Sequence, residues 1–360
     1  MRRAMWVRLG AAVICAAMPD TANSQQVMTI REPGAAVVVS ADLEPATQAQ
    51  APQQPPPPAP ATRRRRASVV GYIDDAPIGS KIRLRFDTAT ESRVPDRAEF
   101  FYAKCGCYSE LEPHDPGYKN YDPNAPGPRP DIPNHVDYQQ LYLEAELAVD
   151  TRLSVFGQLP IRWLEPDFRP GEGFSNQAGL SDVRAGIKFG LLDSASPHAL
   201  TAQLQLYFPT GNAGDGLGTN HTSVEPSMLF RQQLTPTASL ESQVGVWLPI
   251  GGSAPLPGTN TDHFAGRVFY YGIGPGVTVY QTDRLQVTPV LELVGWRVLA
   301  GNQTFLDASN PAAAGTNIVN IKFGARIAYN TGSFYVGYGH ALTDASWYDD
   351  VLRFEYRYAF

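Results

Sequence analysis

Along most of the chain, apolar and polar side chains alternate one for one in segments of about ten residues. Leu141, Leu143, Ala145, Leu147 and Val149 oppose Gln140, Tyr142, Glu144 and Glu146. Leu153, Val155, Leu159, Ile161 and Trp163 oppose Arg152, Ser154, Gln158 and Arg162. The same period runs through Val183–Leu191, Leu200–Phe208 and Val319–Ile327, and less cleanly through 223–233, 238–249, 264–281, 285–298 and 334–342. At the end, Leu352, Phe354, Tyr356, Tyr358 and Phe360 alternate with Arg353, Glu355, Arg357 and Ala359. A period of two is that of a β-strand with one apolar and one polar face. The pattern predicts an all-β, antiparallel chain of about twelve strands, the first at Arg97–Lys104. A further pair, Ser68–Ile73 and Lys81–Asp87, either raises the count to about fourteen or lies outside the barrel as a plug or cap.

Connections alternate in length as well. Short turns sit at Asp150-Thr151, Ser194–His198, Thr235–Thr237, Thr282-Asp283 and Thr331-Gly332. Long Gly/Asn/Pro-rich loops sit at 105–135, 164–178, 210–222, 250–262 and 299–316. Sorting of this kind predicts a transmembrane β-barrel, with turns on one side of the membrane and loops on the other. No run approaches the roughly 18 consecutive apolar residues of a spanning helix, so a barrel is the form in which this chain crosses a bilayer. Strands running toward the loops end in Leu159-Pro160, Phe208-Pro209 and Leu248-Pro249, where a ladder is ending and needs no N–H. Trp163, Trp247, Trp296 and Trp347 fall at that same end, as an interfacial belt would. The final strand resembles the closing strand of bacterial outer-membrane β-barrels. That resemblance implies outer-membrane lipid as surroundings and an assembly machinery that reads Leu352, Phe354, Tyr356, Tyr358 and Phe360.

The N-terminus divides the chain into four parts. Residues 1–24 carry Arg2, Arg3 and Arg8, an apolar Leu9–Met18 and a small-residue Ala22-Asn23-Ser24, the layout of an export signal. Residues 25–66 are a Pro/Arg-rich linker, with Pro55–Pro58 and Arg63–Arg66, whose composition favours disorder. Residues 67–95 hold the extra strand pair, plug or cap, and 96–360 the barrel. Cys105 and Cys107 bracket Gly106, a spacing for a local staple or a poor two-thiol metal site. The formal charge of −6 argues against a nucleic-acid partner. No cofactor is indicated.

Gly179-Leu180-Ser181-Asp182-Val183, Pro209-Thr210-Gly211-Asn212 and Gly216-Leu217-Gly218 resemble motifs of the outer-membrane transporters named for the meta-pathway of phenol degradation. Ser181 and Asn212 depart from that pattern. The resemblance implies a transporter, and its motifs look like turn and strand-end chemistry.

Parity places Glu144, Glu146, Arg162, Arg184, Lys188, Glu241, Glu292, Lys322, Arg326, Arg353, Glu355 and Arg357 inside the barrel, because an Arg or Lys at the lipid midplane costs about 2–4 kcal/mol. There they either line a polar pore and set its selectivity or pair across the interior and seal it. Trp247 and Trp296 fall on the same side near the mouth, as an aromatic platform or as rim packing. The expected function is passive or gated passage of small solutes, aromatic or apolar ones included, with loops 105–135 and 299–316 controlling access. The alternatives are a structural barrel tethered to the cell wall and an outer-membrane hydrolase. For the last, His221 and Ser223 with Asp215 are the candidate group, without an accompanying hydrolase signature.

Overall fold

The computed structural model describes residues 68–92, 135–167, 176–192, 197–212, 216–219, 221–250, 265–301 and 312–360. The export signal, the linker, Arg97–Lys104, Cys105, Cys107 and Asp215 lie outside the described residues.

The described residues form fourteen strands: β1 (Lys81–Ser92), β2 (His135–Ala148), β3 (Leu153–Asp167), β4 (Gln177–Leu180), β5 (Val183–Gly190), β6 (His198–Phe208), β7 (Thr222–Gln233), β8 (Ala238–Ile250), β9 (Val268–Val277), β10 (Tyr280–Gln281), β11 (Leu285–Val298), β12 (Asn317–Tyr329), β13 (Gly332–Ala341) and β14 (Asp350–Ala359). Twelve of them form an antiparallel barrel in chain order, with β9 beside β11. β4 pairs with β3 and β10 with β11 as short additions. The barrel closes where β1 meets β14, in register from Lys81 opposite Ala359 to Thr90 opposite Asp350. Closure leaves no unpaired edge, which is what a sheet in lipid requires.

Two expectations change here. The barrel starts at Lys81, not at residue 96: Ile82, Leu84 and Phe86 alternate with Arg83, Arg85 and Asp87, and the strand pairs on both sides. Ser68–Ile73 is not its strand partner, since it joins no ladder and lies inside the barrel.

Each wall strand turns its alternate residues outward. Leu84, Leu143, Val155, Ile187, Leu204, Val244, Ile273, Leu291, Phe323 and Val336 are all exposed. Neighbours on this belt sit directly opposite one another, as Leu84 does with Leu143 and Leu291 with Phe323. A continuous apolar ring of this kind is too costly in water and is the lipid-facing band of a membrane barrel. Replacing outward Phe323, midway along β12, with Arg should cost about 2–4 kcal/mol of stability in lipid vesicles, measured by denaturant unfolding. An unchanged midpoint would place that face in water.

Candidate functional site: the lumen and its inner segment

Residues 68–80 enter the barrel ahead of β1, and their backbone makes no ladder. An unpaired peptide group buried without a partner is expensive, so the wall supplies partners. Glu292 accepts N–H bonds from Gly71 (2.9 Å), Tyr72 (2.9 Å) and Ile73 (2.8 Å). Glu241 accepts from Val69 N–H and Gln243 from Asp74 N–H, both at 2.8 Å. On the carbonyl side Arg326 donates to Val69 O (3.1 Å) and Val70 O (2.6 Å), and Arg357 to Val70 O (3.1 Å). Arg353 donates to Gly71 O (2.7 Å), Lys188 to Asp75 O (3.1 Å) and Thr201 to Ala76 O (2.6 Å). Mostly acidic side chains take the N–H groups and mostly basic ones take the carbonyls, the charge-assisted pairing that is strongest in a water-poor interior.

The side chains of the segment are held just as closely. Tyr72 lies between two cations, with Lys322 Nζ 4.1 Å and Arg353 Cζ 4.2 Å from its ring centre. Its hydroxyl donates to Gly337 O at 3.0 Å, and its ring meets Tyr335 edge-on. Val69, Val70 and Ile73 press into a groove made by Gly276, Gly274 and Gly272 of β9. These glycines face inward in alternation with exposed Ile273, Pro275 and Val277. A Cβ on Gly274 would come within 2.9 Å of Val70 Cγ1 and 3.0 Å of Glu292 Cγ. Absence of side chains on one stripe of one strand is therefore what makes room for the segment.

All twelve charged residues expected inside the barrel are buried there. Near the turn end, Asp75 and Glu146 bind both Lys81 and Lys188, and Ser154 donates to Glu146 at 2.7 Å. Glu144 pairs with Arg83 and accepts from Gln158 at 2.9 Å. Glu355 gathers Arg326 (2.7 Å), Arg357 (2.5 Å) and Arg83 (3.8 Å). Arg353 forks onto both oxygens of Asp87 at 2.7 Å each. Arg231 lies 3.7 Å from Glu241. Arg162, one of the most deeply buried side chains, donates to Gln140 at 3.0 Å. Arg184 is stacked over the rings of Tyr142 and Tyr207.

The loop end is aromatic. Trp247, Trp296 and Trp347 turn inward, so they are not the interfacial belt; Trp163, among the described residues, sits on the outward parity. Trp247 packs edge-on against His221, and Trp296 against Trp347 from the 342–349 connection. His221 Nδ1 is bonded to Thr219 O at 2.8 Å while Ser223 Oγ makes no hydrogen bond, so no nucleophile–base pair is formed. The transporter-like motifs form a single staple. Asp182 accepts from Gly211 N–H (3.0 Å), Thr219 N–H (2.8 Å) and Thr219 Oγ1 (2.7 Å). Gly211 and Gly218 meet so closely that a Cβ on either would sit 2.4 Å from a backbone oxygen. These residues are fixed by loop geometry.

Above Tyr72 a cavity of about 90 Å³ opens toward the loop end. A second, of about 150 Å³, lies at the turn end between Ser68, Val69, Arg231, Arg326 and the threonines 278 and 288.

No protein-family model and no curated protein matches the chain, so the resemblance to the meta-pathway transporters rests on its motifs. Among solved structures the chain is similar to an outer membrane channel of Pseudomonas putida F1, at 13% identity and TM-score 0.49, covering 81% of this chain and 99% of that one. It is similar to the NanC porin at 8% identity and TM-score 0.40, covering 78% and 100%. It is also similar to LpxR from Salmonella typhimurium at 11% identity and TM-score 0.39, covering 77% and 100%.

The groove predicts its own disruption. In a background with Cys105 and Cys107 replaced by serine, a cysteine at Val70 should be protected from maleimide. Adding Gly274→Leu should make it reactive while the barrel still shows heat-modifiable gel mobility. Continued protection would mean that the segment does not depend on the glycine stripe.

Proposed function

We propose that the chain is an outer-membrane channel for small solutes, closed toward its turn end by its own residues 68–80. The observation that carries this reading is the way the segment is held. Five of its N–H groups and five of its carbonyls are satisfied by side chains of the wall rather than by a strand ladder. Side-chain clamps of this kind release without unfolding the barrel. A twelve-stranded lumen is narrower than that of the 16–18-stranded porins, so one such segment suffices to block it. The transporter-like motifs agree with this role. In the finer reading, the passage is gated and the lumen charges bias which solutes pass.

A sealed structural barrel is the second reading, favoured by the density of buried ion pairs around Glu355 and Glu146. Conductance in planar bilayers separates the two. Glu292→Ala strips the acceptor from three buried N–H groups, at about 1–3 kcal/mol for each group left unsatisfied. A loss of about 3 kcal/mol from the closed state multiplies the open fraction about a hundredfold while that fraction is small. The full-length variant should therefore conduct far more often than the wild type. Silence from both, with protein shown to be folded and inserted, would leave the sealed barrel.

A further inference from the structure

The outer wall is unevenly charged near the loop end. Among the described residues, Arg267 and Arg297 are the arginines and lysines that face outward there, and both are exposed. The outward carboxylates at that level, Asp137, Glu165 and Asp350, stand on β2, β3 and β14, away from β9 and β11. Arg297 lies directly opposite Phe269, and Arg267 is the next outward residue beyond Phe269 toward the loops. The Arg267 carbonyl accepts from Leu299 N–H at 2.8 Å and from Ala300 N–H at 3.3 Å. Beside it Gly266 packs so closely that a Cβ would sit 1.8 Å from Ala300 O. Both arginines therefore stand on fixed backbone, diagonally across one strand pair and about 7–8 Å apart.

Depth in the membrane follows from the strand. Arg297 lies six residues along β11 from Leu291, which faces Phe323 in the middle of the apolar belt. Six residues of a tilted strand rise about 15 Å, beyond the half-height of an apolar band about 25 Å tall. The two guanidinium groups are thus at headgroup level. Beneath them the wall is apolar: Ile273 and Leu293 are exposed, and the rings of Phe269 and Tyr271 lie 6.1 Å apart. Tyr271 covers Gly295, where a Cβ would come within 2.5 Å of its ring. Asn317 accepts from Arg297 Nη1 at 2.9 Å and orients its head. No described carboxylate forms an ion pair with either arginine. Two like charges this close repel one another, and an anion between them removes that cost. Guanidinium groups match the oxygens of a phosphate in a two-bonded fork.

We propose that Arg267 and Arg297 form a docking site for the phosphate of an anionic membrane lipid, whose acyl chains lie on Phe269, Tyr271, Ile273 and Leu293. The site is independent of whether the lumen conducts. The test is native mass spectrometry of the refolded full-length protein in detergent. It is titrated with phosphatidic acid or with phosphatidylcholine of equal chain length, and inorganic phosphate serves as competitor. Phosphatidic acid should bind at least about tenfold more tightly than phosphatidylcholine, the scale of one charge-assisted hydrogen bond. Arg267→Gln and Arg297→Gln should each weaken phosphatidic acid by a similar factor in protein that keeps its gel-mobility shift. Arg284→Gln, an exposed arginine at the turn end, should leave the affinity unchanged. If a Gln variant fails to fold, the corresponding Lys variant should show reduced but measurable binding, and undiminished binding there would overturn the arginine fork. Equal binding of the two lipids would overturn the phosphate site. Displacement of bound phosphatidic acid by millimolar inorganic phosphate would overturn the lipid as occupant. Wild-type affinity in both Gln variants, or an equal loss in Arg284→Gln, would place the lipid elsewhere on the barrel and overturn the proposal.

Discussion

Everything inside this barrel answers to one requirement: ten backbone groups of residues 68–76 have left water and have no strand to pair with. Removing even one partner from a buried amide is worth about 1–3 kcal/mol, so the lumen is populated by side chains long enough to reach the axis. Glu, Arg and Lys qualify, and their charge sign sorts by what they must bind. Glu241 and Glu292 face N–H groups; Arg326, Arg353 and Arg357 face carbonyls. The ion pairs among them, such as Arg326 with Glu355 and Arg353 with Asp87, then keep those heads from being buried alone.

The wall is shaped to that requirement on both sides of the segment. Gly272, Gly274 and Gly276 carry no side chains, so that Val69, Val70 and Ile73 find an apolar seat, while Lys322 and Arg353 both lie over the ring of Tyr72. The segment runs directly into β1, which shares the closing seam with β14, and Asp75 is tied to Lys81 at the first residue of that strand. Insertion of the segment and closure of the barrel are thus contiguous in the chain and linked by a buried ion pair.

The wall was legible in the sequence because its rule is local. Period two reports which way each side chain of a strand points, and Glu144, Glu292, Arg353 and the rest lie inside as parity requires. The same rule holds for Ile82-Arg83-Leu84-Arg85-Phe86-Asp87, but period two does not say which strand a segment pairs with, and the partner of β1 across the seam lies at the far end of the chain. The inner segment was less accessible. Val69-Val70-Gly71-Tyr72-Ile73 has strand-like composition, and composition cannot tell a strand from an extended chain whose bonds go to side chains. Its one signature is remote: the alternate glycines of β9, a stripe of empty positions on an inward face. The stacking of Arg184 on Tyr142 and Tyr207 is equally hidden, since parity reports the face a tyrosine occupies and not the cation that reaches it. Parity assigned Trp247 and Trp296 to the interior, but their pairing with His221 and Trp347 depends on loops whose course no period encodes.

The two halves of the lumen differ in how tightly they are filled, and that difference is physical. Toward the turn end, carboxylates and cations are matched within ion-pair distance and the segment occupies the space they enclose. Toward the loop end, Arg85, Arg184 and Lys322 also stack on aromatic faces, Arg85 while it stays 3.6 Å from Asp87 and Lys322 while it donates to Tyr348 Oη. A ring under a cation fixes the orientation of its head and adds to its polar contacts. The same residue types are therefore held by carboxylates at one end of the lumen and by carboxylates and rings together at the other.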